Sequence, residues 1–141
     1  MSLNAKKTKV MVTSKKNTGE QLEITVNNTR LEQVKQYTYL GSLITDDGRC
    51  IQEVKKRIGQ AKSAFWKTRE LLRGNVNIKL KLRLLKCYVF SVLAYASETW
   101  TYSMEIKRKK RAFEMWTYRR LLKISWTRRV TNESVKQRVN V

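Results

Sequence analysis

The sequence predicts an α+β chain, with a small antiparallel β-sheet or hairpin at the N-terminal end and a helical bundle after it. Three observations carry that expectation. Alternating segments rich in β-branched residues end near residue 45, apolar spacing of three and four residues begins near residue 50, and the 141 residues include no proline to interrupt the later helices. A hydrophobic content of 41% is enough to bury a modest core.

The first strand is expected over Thr8–Ser14 and the second over Leu22–Val26, where alternation is stricter. Asn27 and Asn28 tolerate a left-handed backbone, so they are expected to turn the chain into a return strand running through Thr29 and Arg30 to Val34. A further strand is expected over Tyr37–Ile44. After Asp46-Asp47-Gly48 the period changes, and Ile51, Val54, Ile58, Ala61, Phe65, Thr68 and Leu72 place one apolar stripe on a long helix. Gly74-Asn75 is expected to stop that helix, and Asn77 to cap the next.

The next helix, from about Ile78 to Ala96, reads as apolar nearly all round in its later half and is therefore expected at the centre of the bundle. A third is expected from about Glu105 to Ile124 with Phe113, Trp116, Leu121 and Leu122 inward, and a last short turn over Asn132–Val139.

Charge is the strongest functional signal. Thirty-one Lys and Arg face 11 Asp and Glu, a net charge of +20, and such a chain repels itself unless a polyanion is near. Residues 46–141 hold 24 of the basic and eight of the acidic side chains. Nucleic acid is the expected partner. No membrane span is expected, because the most apolar run, Tyr88–Ala96, is far below the ~20 residues a crossing needs. The N-terminus lacks the apolar stretch of a signal peptide, and two well-separated cysteines outside any CxxC pair suggest an intracellular setting.

The inventory also excludes chemistry. The chain has no histidine, so imidazole acid–base catalysis, His-based triads and HExxH zinc sites are absent from it. Asp46-Asp47 is the only aspartate pair; at a strand-to-helix junction before Gly48, turn formation and capping account for it without metal chemistry. No catalytic or metal-ligating residue, and no cofactor, is expected in this chain.

Two basic arrays are candidates for phosphate contact. Lys55, Lys56, Arg57, Lys62, Lys67 and Arg69 share one helix with only Glu53 and Glu70 against them. Lys107, Arg108, Lys109, Lys110 and Arg111 form an unbroken run, which also matches a nuclear-import pattern and so suggests a nuclear location. Phe113, Trp116, Tyr118, Arg119 and Arg120 follow; interleaved aromatics and cations can hold phosphates and offer stacking surfaces, although the spacing of Phe113 and Trp116 favours a core position.

Five blocks occur in order: Asn4–Met11, Tyr37–Gly48, Ser97–Trp100, Ala112–Trp116 and Leu122–Trp126. Together they resemble the C-terminal part of endonuclease/reverse-transcriptase polyproteins of non-LTR (LINE-type) retrotransposons, over nearly the whole chain. The resemblance implies that residues 1–45 end the palm of a right-hand polymerase, with Lys7 or Lys9 near the incoming nucleotide. Tyr37, Tyr39, Leu40 and Gly41 would then belong to the primer grip, a hairpin that holds the 3′ end of the growing strand. Residues 46–96 would be a helical thumb clasping an RNA–DNA or DNA template–primer, and residues 97–141 a basic post-thumb region.

The family's aspartate-bearing palm motif, which would hold magnesium in the complete enzyme, is absent, as are its fingers and endonuclease, so the chain is expected to be catalytically incomplete alone. Two further departures are Ala96, where the family commonly shows glycine, and Arg128, where an acidic residue is usual. The alternatives are a stand-alone basic DNA- or RNA-binding protein derived from the thumb, and a polymerase subunit completed by a second polypeptide.

Overall fold

A computed structural model describes Asn4, residues 7–14 and residues 21–140. Ala5 and Lys6 of the first block lie outside the described residues. The α+β expectation holds, with short strands first and helices after, in two compact units of residues 1–53 and 54–141.

Among the described residues of the first unit, six short strands pair two by two. β2 (Thr25–Val26) and β3 (Thr29–Arg30) form the expected hairpin, and Asn27 and Asn28 both take positive φ, 47° and 56°. This is the two-residue turn whose twist matches that of the strands. β1 (Lys9–Val10) pairs in parallel with β4 (Glu32–Gln33), so the sheet elements are not all antiparallel. The expected strand over Thr8–Ser14 contracts to β1, and the return strand breaks at Leu31, whose side chain turns into the small core.

The single strand that alternation predicts over Tyr37–Ile44 is instead a hairpin, a form that the resemblance to a primer grip implies. β5 (Gln36–Tyr39) and β6 (Ser42–Thr45) are antiparallel, and Leu40 and Gly41 turn between them with φ of 48° and 82°. Glycine makes the second of those angles easy, and a reading by alternation alone carries the strand straight through it. The Leu43 amide of β6 donates to the buried Glu53 carboxylate at 2.8 Å, which ties the hairpin to the first turn of α1 (Ile51–Lys67).

In the second unit the long helix expected through Leu72 bends at Thr68. That hydroxyl donates back to the carbonyls of Ala64 and Phe65, at 3.0 and 3.3 Å, and α2 (Arg69–Arg73) continues beyond it. Such back-bonding by threonine bends helices. The Asn77 side chain caps α3 (Ile78–Leu85) as expected, accepting from the Lys79 amide. A π-helical stretch over Lys86–Phe90 and the short α4 (Ser91–Ala94) follow, with the Ser91 hydroxyl bonded to the Cys87 carbonyl inside the widened turn.

The stretch from Ile78 to Ala96 is not the central helix. Leu85, Val89 and Leu93 are buried, but Leu80, Tyr88 and Tyr95 are exposed, so its apolar surplus lies on an outer face. The centre is α5 (Met104–Leu121), which buries Ile106, Phe113, Met115, Thr117, Tyr118 and Leu121. Ser103 caps α5, and Thr131 caps α6 (Asn132–Val139), the helix packed on α5. Aromatic edges join the helices: Phe65 of α1 meets Trp116 at 5.2 Å, and Phe90 meets Phe113 and Tyr118 at 6.3 and 6.1 Å.

Ala96 adopts φ 57°, ψ 19°, the left-handed conformation that glycine takes without a Cβ penalty. Ala96→Gly is therefore expected to stabilise the chain by roughly 0.5–1 kcal/mol and to raise Tm by a few degrees in calorimetry. A lower Tm would contradict this account of the turn.

Candidate nucleic-acid interface

The second unit holds 23 Lys and Arg against five Asp and Glu, so the electrostatic footprint lies in the helices. Helical spacing decides which cations reach solvent. Lys55, Lys62 and Lys67 are exposed along α1 and Lys56 is half-buried. Arg57 differs: it is 7% exposed, its guanidinium lies 4.3 Å from the Tyr95 ring centre, and its Nη1 donates to Gln60. That side chain is built into the packing.

Lys62, Arg69 and Arg120 come together around two tryptophans. Trp66 and Trp116 meet edge to face at 6.3 Å, and the Arg120 guanidinium sits 4.8 and 4.9 Å from their ring centres. Arg69 lies 5.7 Å from Trp66, and Lys62 lies 5.4 Å from Trp116. Cation–π attraction of this kind contributes roughly 0.5–2 kcal/mol per pair and keeps positive charge beside partly exposed rings. Trp116 is half-buried: it stacks on Phe113, meets Phe65 edge to face, and has Lys62 and Arg120 beside its ring.

Trp66, Trp116, Arg69 and Arg120 line a cleft of about 430 Å³ whose walls carry four tryptophan or phenylalanine rings and five cationic side chains and no acidic one. Its far wall is the segment after α5. There the Lys123 amide donates to Arg120 and the Ile124 amide to Arg119, a Schellman ending with Lys123 at φ 54° and Ile124 buried beneath it. Arg119 is held in that wall: its guanidinium donates to the Val130 carbonyl at 2.6 Å and to Asn132 Oδ1 at 3.1 Å, pinning the loop to α5.

The basic run on α5 borders a second cleft, of about 600 Å³. Lys107, Lys110 and Arg111, with Lys86, surround a floor that includes Phe90, Tyr102 and Tyr118. Lys110 donates to the Tyr102 hydroxyl at 3.2 Å and lies over the rings of Tyr102 and Trp100. Arg108 is exposed, and Lys109 is paired with Glu105 one turn earlier at 3.3 Å. Burial, reinforced by the neighbouring Glu114 carboxylate, pushes the Tyr118 hydroxyl up to about 12.

In the first unit the candidates are arranged differently. Lys7 is exposed, while Lys9 is paired with Glu32 at 3.1 Å. Tyr37, Tyr39, Leu40 and Gly41 are all exposed on the β5–β6 hairpin, and Leu40 is 77% accessible at its tip. Asp47 is engaged in the turn before α1. The Thr45 hydroxyl and the Arg49 amide both donate to its Oδ1, and they hold its carboxyl below the usual range. Among the described residues no group of three or more His, Cys, Asp or Glu side chains is placed to hold a metal, and no helix is long and apolar enough to cross a membrane.

The chain is similar to a transposon-derived protein. That relative is an uncharacterised protein of Caenorhabditis elegans, 25% identical over 115 residues, which cover 82% of this chain and 41% of the relative. The chain thus spans about two fifths of the length of the protein it matches, and the similarity suggests a transposon origin. No family model matches the chain, and no solved structure does.

Sequence reasoning missed Trp66, Arg73, Lys86, Tyr102, Lys123 and Trp126, which line the clefts. A signal for Trp66 existed: it lies off the apolar stripe through Phe65, four residues after Lys62 and three before Arg69, so an exposed ring between cations was legible. The Arg119 clamp carries its own test. Arg119→Ala should cost about 1–2 kcal/mol and accelerate amide exchange over residues 125–131 more than in α5; unchanged exchange there would show that the loop holds without the clamp.

Proposed function

We propose that this chain is the palm-end, thumb and post-thumb portion of a non-LTR retrotransposon reverse transcriptase, and that it grips template–primer nucleic acid through its basic helices. The concentration of 23 cations against five carboxylates in residues 54–141 is the observation that carries the proposal. Lys55, Lys62 and Lys67 on α1 and Lys107, Arg108 and Arg111 on α5 are accessible to phosphates. The ordered blocks of the sequence and the similarity to a transposon-derived protein support the same assignment.

A thumb has to hold a duplex while letting it slide. Lysine and arginine against phosphate oxygens do this without reading sequence, because every step of the backbone offers the same charge. Bond making is assigned elsewhere: Asp46 and Asp47 are the chain's only aspartates, and Asp47 is committed to its turn. The magnesium ions of the complete enzyme would be held by the palm aspartates that this chain lacks.

Affinity for a primer–template duplex should fall linearly on a log–log plot as salt rises, with a slope near 0.9 for each phosphate contacted, and should change little between sequences. Lys55→Gln combined with Lys62→Gln should lower both affinity and slope, whereas Lys35→Gln combined with Lys136→Gln, which removes equal charge elsewhere, should change them less. A salt-independent affinity, or equal losses from both pairs, would refute the assigned surface.

A further inference from the structure

Trp126 is 92% exposed, the most accessible large apolar side chain among the described residues, yet it stands on an ordered turn. The Arg128 amide donates to the Ser125 carbonyl at 3.1 Å, and the hydroxyls of Ser125 and Thr127 lie 2.9 Å apart beneath the turn. Ile124 is buried just before it, and Arg119 fixes Val130 just after it. The indole is therefore presented by a framework that gives it nothing to pack against. An aromatic ring of this size leaves on the order of 200 Å² in water, so folding gains little from it.

Its surroundings point to the missing partner. Trp126 lies at the rim of the 430 Å³ cleft that also contains Trp66, 44% exposed, with Arg69, Arg73, Arg120 and Lys123 around it. Arg128 and Arg129 are exposed in the same segment. Flat apolar rings among fixed positive charges, with no carboxylate in the lining, match a group that is itself flat and aromatic and is flanked by anions. A nucleobase with its two phosphates has that chemistry. A base-paired duplex does not offer it, because the faces of its bases are already stacked.

We propose that the α5–α6 turn is a stacking site for an unpaired nucleobase, with Trp126 covering the base and Arg69, Arg73 and Lys123 holding the adjacent phosphates. This site rests on the nucleic-acid-binding reading above and adds to it the recognition of a single-stranded segment leaving the gripped duplex. The arginine-filled side of Trp66 forms the wall, and the free face of Trp126 closes over the base. The cations make the site indifferent to which base is present, since every base has a π-face.

The test compares three ligands on the full chain: a blunt duplex, the same duplex with a single-stranded deoxythymidine overhang, and that duplex with an abasic overhang of equal length and charge. The base-bearing overhang should bind roughly tenfold or more tighter than the abasic one, with quenching of tryptophan fluorescence. Trp126→Ala should remove that difference and Trp126→Phe should retain much of it; because the side chain is exposed, unchanged Tm for both variants would confirm that the fold is intact. Equal binding of base-bearing and abasic overhangs, or discrimination that survives Trp126→Ala, would overturn the stacking site while leaving duplex binding in place. Failure of all three ligands to bind would overturn the nucleic-acid reading itself.

Discussion

The structure depends on one constraint: a helical unit of 88 residues must fold around an excess of 18 positive charges. Carboxylates are too few to neutralise them, and exposed ion pairs contribute little in any case. Aromatic rings take up part of the load. Lys62 on Trp116, Lys110 on Trp100 and Tyr102, and Arg69 and Arg120 on the tryptophan pair each set a cation against a ring instead of a carboxylate. The gain is that the charge stays uncompensated. A Lys–Glu pair cancels its own field, whereas a cation resting on tryptophan still presents a full positive charge to a phosphate.

Helix α5 is where this arrangement and the packing meet. It carries the run from Lys107 to Arg111 and the exposed Arg120 while burying Ile106, Phe113, Met115, Thr117, Tyr118 and Leu121, so one helix both anchors the core and projects charge. Both clefts draw on this helix. Trp116, Arg120 and Lys123 border the first, and Lys107, Lys110 and Arg111 the second. Helix α1 carries the exposed Trp66 among its cations, and a hydrogen-bonded turn carries Trp126.

Much of this was legible from periodicity and turn chemistry. The Asn27-Asn28 hairpin, the Asn77 cap, α5 and the limits of α6 all follow from local rules that need no tertiary information. What escaped was decided by contacts distant in sequence or by a single hydrogen bond. Leu40-Gly41 reads as strand until the pairing of Tyr39 with Ser42 makes it a turn, and α1 reads as continuous until the Thr68 hydroxyl turns back on Ala64. The apolar stretch from Ile78 to Ala96 looked central because composition does not reveal which face has a neighbour; Tyr88 and Tyr95 remain in solvent. In the candidate site, charge pointed to α1 and α5, yet it could not separate Arg57 and Arg119, which are tied into the packing, from Arg69 and Arg120, which are exposed beside the open cleft.

If uncompensated charge is the governing constraint, the protein alone should be held below its full stability by self-repulsion. Thermal unfolding of the full chain measured across a range of sodium chloride concentrations reads this directly. The account predicts a Tm that rises as salt screens the helices, and a comparable rise at low salt when a nucleic-acid duplex is added, with the two effects failing to add. A Tm indifferent to salt and to duplex would show that the positive charge is already neutralised within the fold, and would contradict the account.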